Sequence, residues 1–308
     1  MPQFPPILKT AGNKAGNPKL LAWTQSDIEN LFGFKGGRHT GVNHFFASIL
    51  AVLMTAAGYA MTVFVLQRIP FADTVAAMVL RPSNQYTMIP ATLFFFGGAA
   101  VLMLKVRKLK FQQRALNLSA VPDEPEFVLT EATAATVLAR IHSLVDHPRH
   151  FVLLNRIDRA LSNLKNLGQV NDVSAILRAQ AENDEDQVAS SYTLLNGFVW
   201  AIPVLGFIGT VQGLSMAIAQ FTQTLQASAD ISLIRSSLQG VTTGLATAFE
   251  TTLIALVFAL VLQLWITFIQ KREMSFLDEC NDYCHSHVVS KLRLVDRSLA
   301  STVVEPKS

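Results

Sequence analysis

The chain has 308 residues, half of them hydrophobic and 15% charged, against about 25% charged in an ordinary soluble domain. Its mean hydropathy is +0.34. This composition excludes a disordered chain and a main task in nucleic-acid binding. Two cysteines exclude a disulfide framework, and a net charge of +3 is too small to imply a polyanionic partner. What remains is an all-α membrane protein.

Residues 1–44 form the first segment. Pro2, Pro5, Pro6 and Pro18 predict a loose start. A short amphipathic turn follows, with Thr24 or Ser26 as its N-cap and Ile28, Leu31 and Phe32 as its apolar side. A membrane helix needs about 20 apolar residues with few or no charges. Phe45–Leu66 and Pro82–Leu104 are both uncharged and give the first two spans, within residues 45–104.

Residues 105–193 read as a helical insertion. Thr130-Glu131 opens a helix reaching Val145, Pro148 opens another, and Gly168 closes it at C′. Asn171 or Asp172 caps a third helix, running unbroken through Asp186 into the third span. Residues 194–269 hold two more spans, about Leu194–Phe221 and Gly240–Ile269, the latter uncharged except for Glu250. Residues 270–308 continue the fourth helix to about Leu299 and end in a tail.

Cytoplasmic flanks retain Lys and Arg. Lys9, Lys14, Lys19, Lys35 and Arg38 precede the first span. Lys105, Arg107, Lys108, Lys110 and Arg114 follow the second, and Lys271 and Arg272 follow the fourth. Only Arg68 and Arg81 lie in the first hairpin connection, and only Arg235 in the second. Both termini and the insertion are therefore expected in the cytoplasm, with long helices reaching out of the bilayer. More than forty mostly polar residues before the first span argue against a cleaved signal peptide.

The third and fourth spans carry the unusual chemistry. Pro203, Gly206, Thr210, Gly213 and Ala217 recur at intervals of three and four and share one helix face. With Gly209, Gly240 and Gly244 they make small-residue surfaces on which membrane helices pack closely. In the fourth span Thr243, Thr247, Glu250 and Ile254 fall on one stripe, with Thr251 beside it. Glu250 lies about 15 Å into the helix counted from Gly240, near the bilayer middle. An acid there costs at least roughly 2.5–3.5 kcal/mol and seldom faces lipid. It is either a structural acid held by Thr247 or Thr251, or part of an ion path.

The run Ala201-Ile202-Pro203-Val204-Leu205-Gly206-Phe207-Ile208-Gly209-Thr210-Val211-Gln212-Gly213 resembles the P-x-x-G-x-x-G-T-V-x-G signature of the MotA/TolQ/ExbB proton-channel family. Gly240–Leu256, centred on Leu245-Ala246-Thr247-Ala248, resembles that family's final pore helix. The resemblance implies an A-type subunit of a stator-like inner-membrane motor. Such subunits form a homopentamer around two copies of a single-span partner of ExbD/TolR/MotB type, whose membrane Asp carries H⁺ or Na⁺. Thr210 and Thr247 then match the pore-facing threonines, and a hydroxyl can serve an acid in both its protonation states. This chain has Thr242 where ExbB and TolQ carry a glutamate, and Glu250 where they have glycine. Four spans agree with MotA. Flagellar rotation, outer-membrane import, envelope maintenance, gliding and phage defence all use related subunits.

Other chemistries are disfavoured. Cys280, Cys284, His285 and His287 match no standard metal module. His44, His142, His147 and His150 read as surface residues, and Arg140, Arg149, Arg156, Asp158 and Arg159 as a solvated face. No phosphate-binding loop, nucleophile elbow or dinucleotide fingerprint appears, so neither an enzyme nor a cofactor is expected. Two alternatives stand beside the motor: a passive membrane scaffold, and a stand-alone ion channel or transporter.

Overall fold

The computed structural model describes residues 20–23, 27–34, 36–37, 39–64, 73–124, 126–162, 164, 170–227 and 231–293. The expected N-caps Thr24 and Ser26, the C′ residue Gly168 and the helix end at Leu299 lie outside them. The described elements are helical, in chain order α1 (Ile28–Leu31), α2 (His44–Phe64), α3 (Asp73–Leu80), α4 (Gln85–Leu116), α5 (Glu131–Leu144), α6 (Val152–Ser162), α7 (Val170–Ser191), α8 (Thr193–Ala227) and α9 (Ile231–Cys284). Among the described residues no strand forms; Leu21 with Val145 and Leu129 with Leu292 make single bridges. Among the described residues four helical runs are long and apolar enough to cross a membrane: His44–Phe64, Gln85–Leu116, Val170–Ala219 and Leu238–Val289.

The chain divides into two compact units. The apolar unit comprises residues 44–104 and 191–270. Its central helix is α4, which buries Met88, Ala91, Ala100 and Leu102 completely. By contrast α2, α8 and α9 leave Val52, Leu53, Phe207, Val211, Phe249, Leu253 and Leu260 exposed, surface that only lipid or protein can cover cheaply. Hydroxyls inside these helices bond back to their own turns. Thr55 Oγ1 donates to Ala51 O (2.7 Å), and Thr92 Oγ1 to Met88 O (2.8 Å). That leaves few polar atoms facing lipid. The sequence pattern gives no sign of helix α3. The second hairpin is taller than the apolar runs alone indicate, because α8 continues to Ala227 and α9 begins at Ile231.

The polar unit comprises residues 1–43, 105–190 and 271–308. Thr130 caps α5 as expected, in a reciprocal pair with Thr133. Pro148 opens a 3-10 turn, Pro148–His150, before α6. The α1 cap is Asp27, whose carboxylate accepts from the Glu29 N–H. Asn171 and Asp172 differ from expectation. They lie within the first turn of α7, because Val170 is already helical. The helix runs on toward the third span through a single turn residue, Tyr192, whose carbonyl still accepts from the Asn196 N–H at 2.9 Å. Gly33, with φ of 80°, ends α1 in the left-handed turn, its N–H donating to Asn30 O and that of Phe34 to Glu29 O.

Charge is buried in this unit in matched sets. Lys105 Nζ and a Glu273 oxygen lie 3.0 Å apart, each side chain 1% exposed. Lys108 Nζ sits 2.7 Å from Glu29 Oε2 and 3.6 Å from Asp27 Oδ2, and donates to Gly41 O. Arg156 is buried too, its Nε donating to Asp184 Oδ2 at 2.7 Å, which corrects the expected solvated face. Buried Asp27 has its carboxyl pushed above the ordinary value, first by desolvation, against the opposing pull of Lys108. Gln112, fully buried, donates from Nε2 to His150 O (2.6 Å) and accepts from the Val152 N–H (3.1 Å). Its amide thereby spans the break between the 3-10 turn and α6. Cys280 and Cys284 are buried on α9, whereas His285 is exposed.

Candidate ion-pathway site

The site is built where α8 and α9 pack within the apolar unit. Pro203 lies inside α8. One turn on, a Cβ on Gly206 would come 2.7 Å from Ala255 Cβ. A Cβ on Gly213 would come 3.0 Å from Gly244 O, and one on Gly244 would come 2.8 Å from Ala217 Cβ. The seam therefore requires glycine on both helices. Gly209 faces Thr251 of α9 and Thr87 of α4 in the same way.

This close approach brings hydroxyls across the seam. Thr210 Oγ1 pairs with Thr252 Oγ1 and lies within hydrogen-bond reach of Gly206 O (3.2 Å) and Ala248 O (3.3 Å). Thr252 Oγ1 donates to Gly206 O (3.0 Å). Two hydroxyl protons thus serve a small set of oxygens contributed by both helices. Thr252 does not stand out in the sequence; its spacing of five from Thr247 hides its position opposite Thr210.

Thr243, Thr247 and Thr251 line a cavity of about 580 Å³. Gln212 and Gln239 add amides, Arg81 and Asn84 come from the start of the second span, and Gly209, Gly213, Gly240 and Gly244 shape the wall. Thr247 and Thr251 are buried and Thr243 exposed. Thr243 and Thr251 donate to their own helix, at Gln239 O and Ala248 O, both at 2.9 Å. Thr247 instead receives a hydrogen bond of 3.2 Å from Arg81 Nη1. Thr210 is not in the cavity wall. The geometry therefore groups Thr243, Thr247 and Thr251 on one cavity and Thr210 with Thr252 on the seam.

Glu250 faces Arg81, with Oε2 3.2 Å from Nη1. The contact is ionic without hydrogen-bond alignment, and Oε2 is buried with no hydrogen-bond donor among the described residues. α4 and α9 pack in register, with Phe95 stacked on Phe258 at 4.5 Å and Leu262 against Gly98. Glu250 precedes Phe258 by eight residues, about 12 Å of helix, and so lies level with the first turn of the second span. In the sequence Arg81 is no more than a loop charge. The signal available is that a membrane acid needs a cation, and few exist in the two hairpin connections.

No curated protein and no solved structure matches the chain. The segment that does match a family covers α6, α7, α8 and nearly all of α9, including every threonine of the seam and of the α9 cavity wall, while Arg81 lies outside it. Residues 145–281 match the MotA/TolQ/ExbB proton channel family.

Proposed function

We propose that the chain is a ring-forming subunit of an ion-channel motor in a bacterial inner membrane. It couples proton-motive or sodium-motive force to mechanical work together with a single-span partner that carries a membrane Asp. Five copies surround a partner dimer, with both termini and the polar unit in the cytoplasm. The observation that carries this reading is the hydroxyl- and amide-lined cavity in an otherwise apolar unit, on the segment matching a proton channel family. Thr243, Thr247 and Thr251 offer hydroxyls that donate to a carboxylate or accept from a carboxylic acid, so a proton can pass without a fixed charge beside it. Thr210, held by Thr252, lines the adjoining seam, and Glu250 borders the path. Pro203, Gly206, Gly209, Gly213, Gly240 and Gly244 hold the two pore helices together.

The test is proton flux into everted membrane vesicles from the host that makes the chain, against vesicles from a deletion strain. Flux is expected in the wild type and is expected to fall at least about tenfold in Thr247→Val, a lost hydrogen bond to a charged group being worth about 1.5–3 kcal/mol. The complex should still assemble. A wild type equal to the deletion strain, or a silent Thr247→Val, refutes the motor and favours a passive scaffold.

A further inference from the structure

Arg81 enters the apolar unit from the first hairpin connection and meets α9 at two residues one turn apart, Thr247 and Glu250. The same nitrogen, Nη1, is 3.2 Å from Thr247 Oγ1 and 3.2 Å from Glu250 Oε2. The Glu250 side chain is 15% exposed, and Arg81 lines the cavity with Thr247. A guanidinium at that point puts a permanent positive charge beside the hydroxyl that a travelling cation has to reach. Only a matching negative charge removes its field.

We propose that Glu250 is the fixed counter-ion of Arg81 and carries no ion itself: the pair keeps the cavity electrically neutral at Thr247. This rests on the channel reading above and assigns Glu250 a place in it. Arg81 and Glu250 are therefore positioning residues. The chemistry of the two groups makes the pair asymmetric. A carboxyl deprived of its cation can take up a proton and become neutral. A guanidinium deprived of its anion cannot lose one. Removing the acid thus leaves a trapped charge at the mouth of the path, whereas removing the base leaves almost none.

Arg81→Gln, Glu250→Gln and the double variant, each in the full complex, provide the test by proton flux into everted vesicles and by the thermal midpoint of the detergent-solubilised chain. An uncompensated charge a few ångströms from the path lowers cation flux by at least about a hundredfold. Glu250→Gln is expected to show that loss, Arg81→Gln, which also loses its bond to Thr247, a smaller one, and the double variant at least about tenfold more flux than Glu250→Gln. A double variant as inactive as Glu250→Gln overturns the proposal and makes Glu250 a relay. So does a Glu250→Gln that conducts normally. Should Glu250→Gln fail to reach the membrane, the double variant decides alone: conduction sustains the neutral pair and silence refutes it. Absence of flux in the wild type would instead sink the channel reading, so the two failures are distinct.

Discussion

Gly206→Ala is the sharpest probe of the seam on which the site is built. The new methyl would stand 2.7 Å from Ala255 Cβ and 3.2 Å from Thr252 Cα. Carbon atoms rest at about 3.5–4.0 Å, and both neighbours are tied to backbone, so α8 and α9 must part by about 1 Å or tilt. Overpacking costs roughly 1–3 kcal/mol, and the gain in helix propensity from Gly to Ala, about 1 kcal/mol, offsets part of it. A net loss of about 1 kcal/mol, reaching about 2, is expected. Gly197→Ala is the control: nothing lies within 4 Å of its Cβ, so only the propensity gain applies. Moving the methyl across the seam, in Gly206→Ala with Ala255→Gly, should return stability toward wild type. Thermal unfolding in detergent reads all three. A Gly206→Ala as stable as Gly197→Ala, or a swap that recovers nothing, would refute the packing argument.

Lys105→Met should cost roughly 3–5 kcal/mol by stranding the buried Glu273 carboxylate, while Lys105→Met with Glu273→Leu should return to near wild type; denaturant titration separates the two. Asp27→Asn should match or exceed wild-type thermal stability near neutral pH. A carboxyl raised above its ordinary 3.8 binds its proton more tightly folded than unfolded. Its contribution is full below 3.8 and lost as pH rises through the folded value. Asparagine still caps α1, so the advantage of the variant should shrink as the pH is lowered toward about 4, which melting curves across that range would reveal.

The four apolar helices are legible because a soluble fold rarely tolerates an uncharged apolar run of about 20 residues. The α8–α9 seam is legible because small residues at intervals of three and four leave their mark on one chain. Thr130 at the start of α5 is equally plain, since a cap and its helix are adjacent. What the sequence conceals are partnerships over long separations. Lys105 with Glu273, Arg156 with Asp184 and Arg81 with Glu250 each read as isolated charges, and an isolated charge defaults to solvent. Burial is decided by what folds against it. The same limit hides that Glu250 lies level with the first turn of α4, since that level follows from the register of α4 on α9.

Gln112 has a consequence for how water enters the polar unit. One terminal amide supplies both a donor and an acceptor, and each is used by a main-chain group on opposite sides of a kink. Glutamate or leucine of similar size would supply at most one of the two. The Val152 amide hydrogen is thus held by a side chain rooted on another helix, and its exchange with solvent deuterium measures how often that helix tail lifts away.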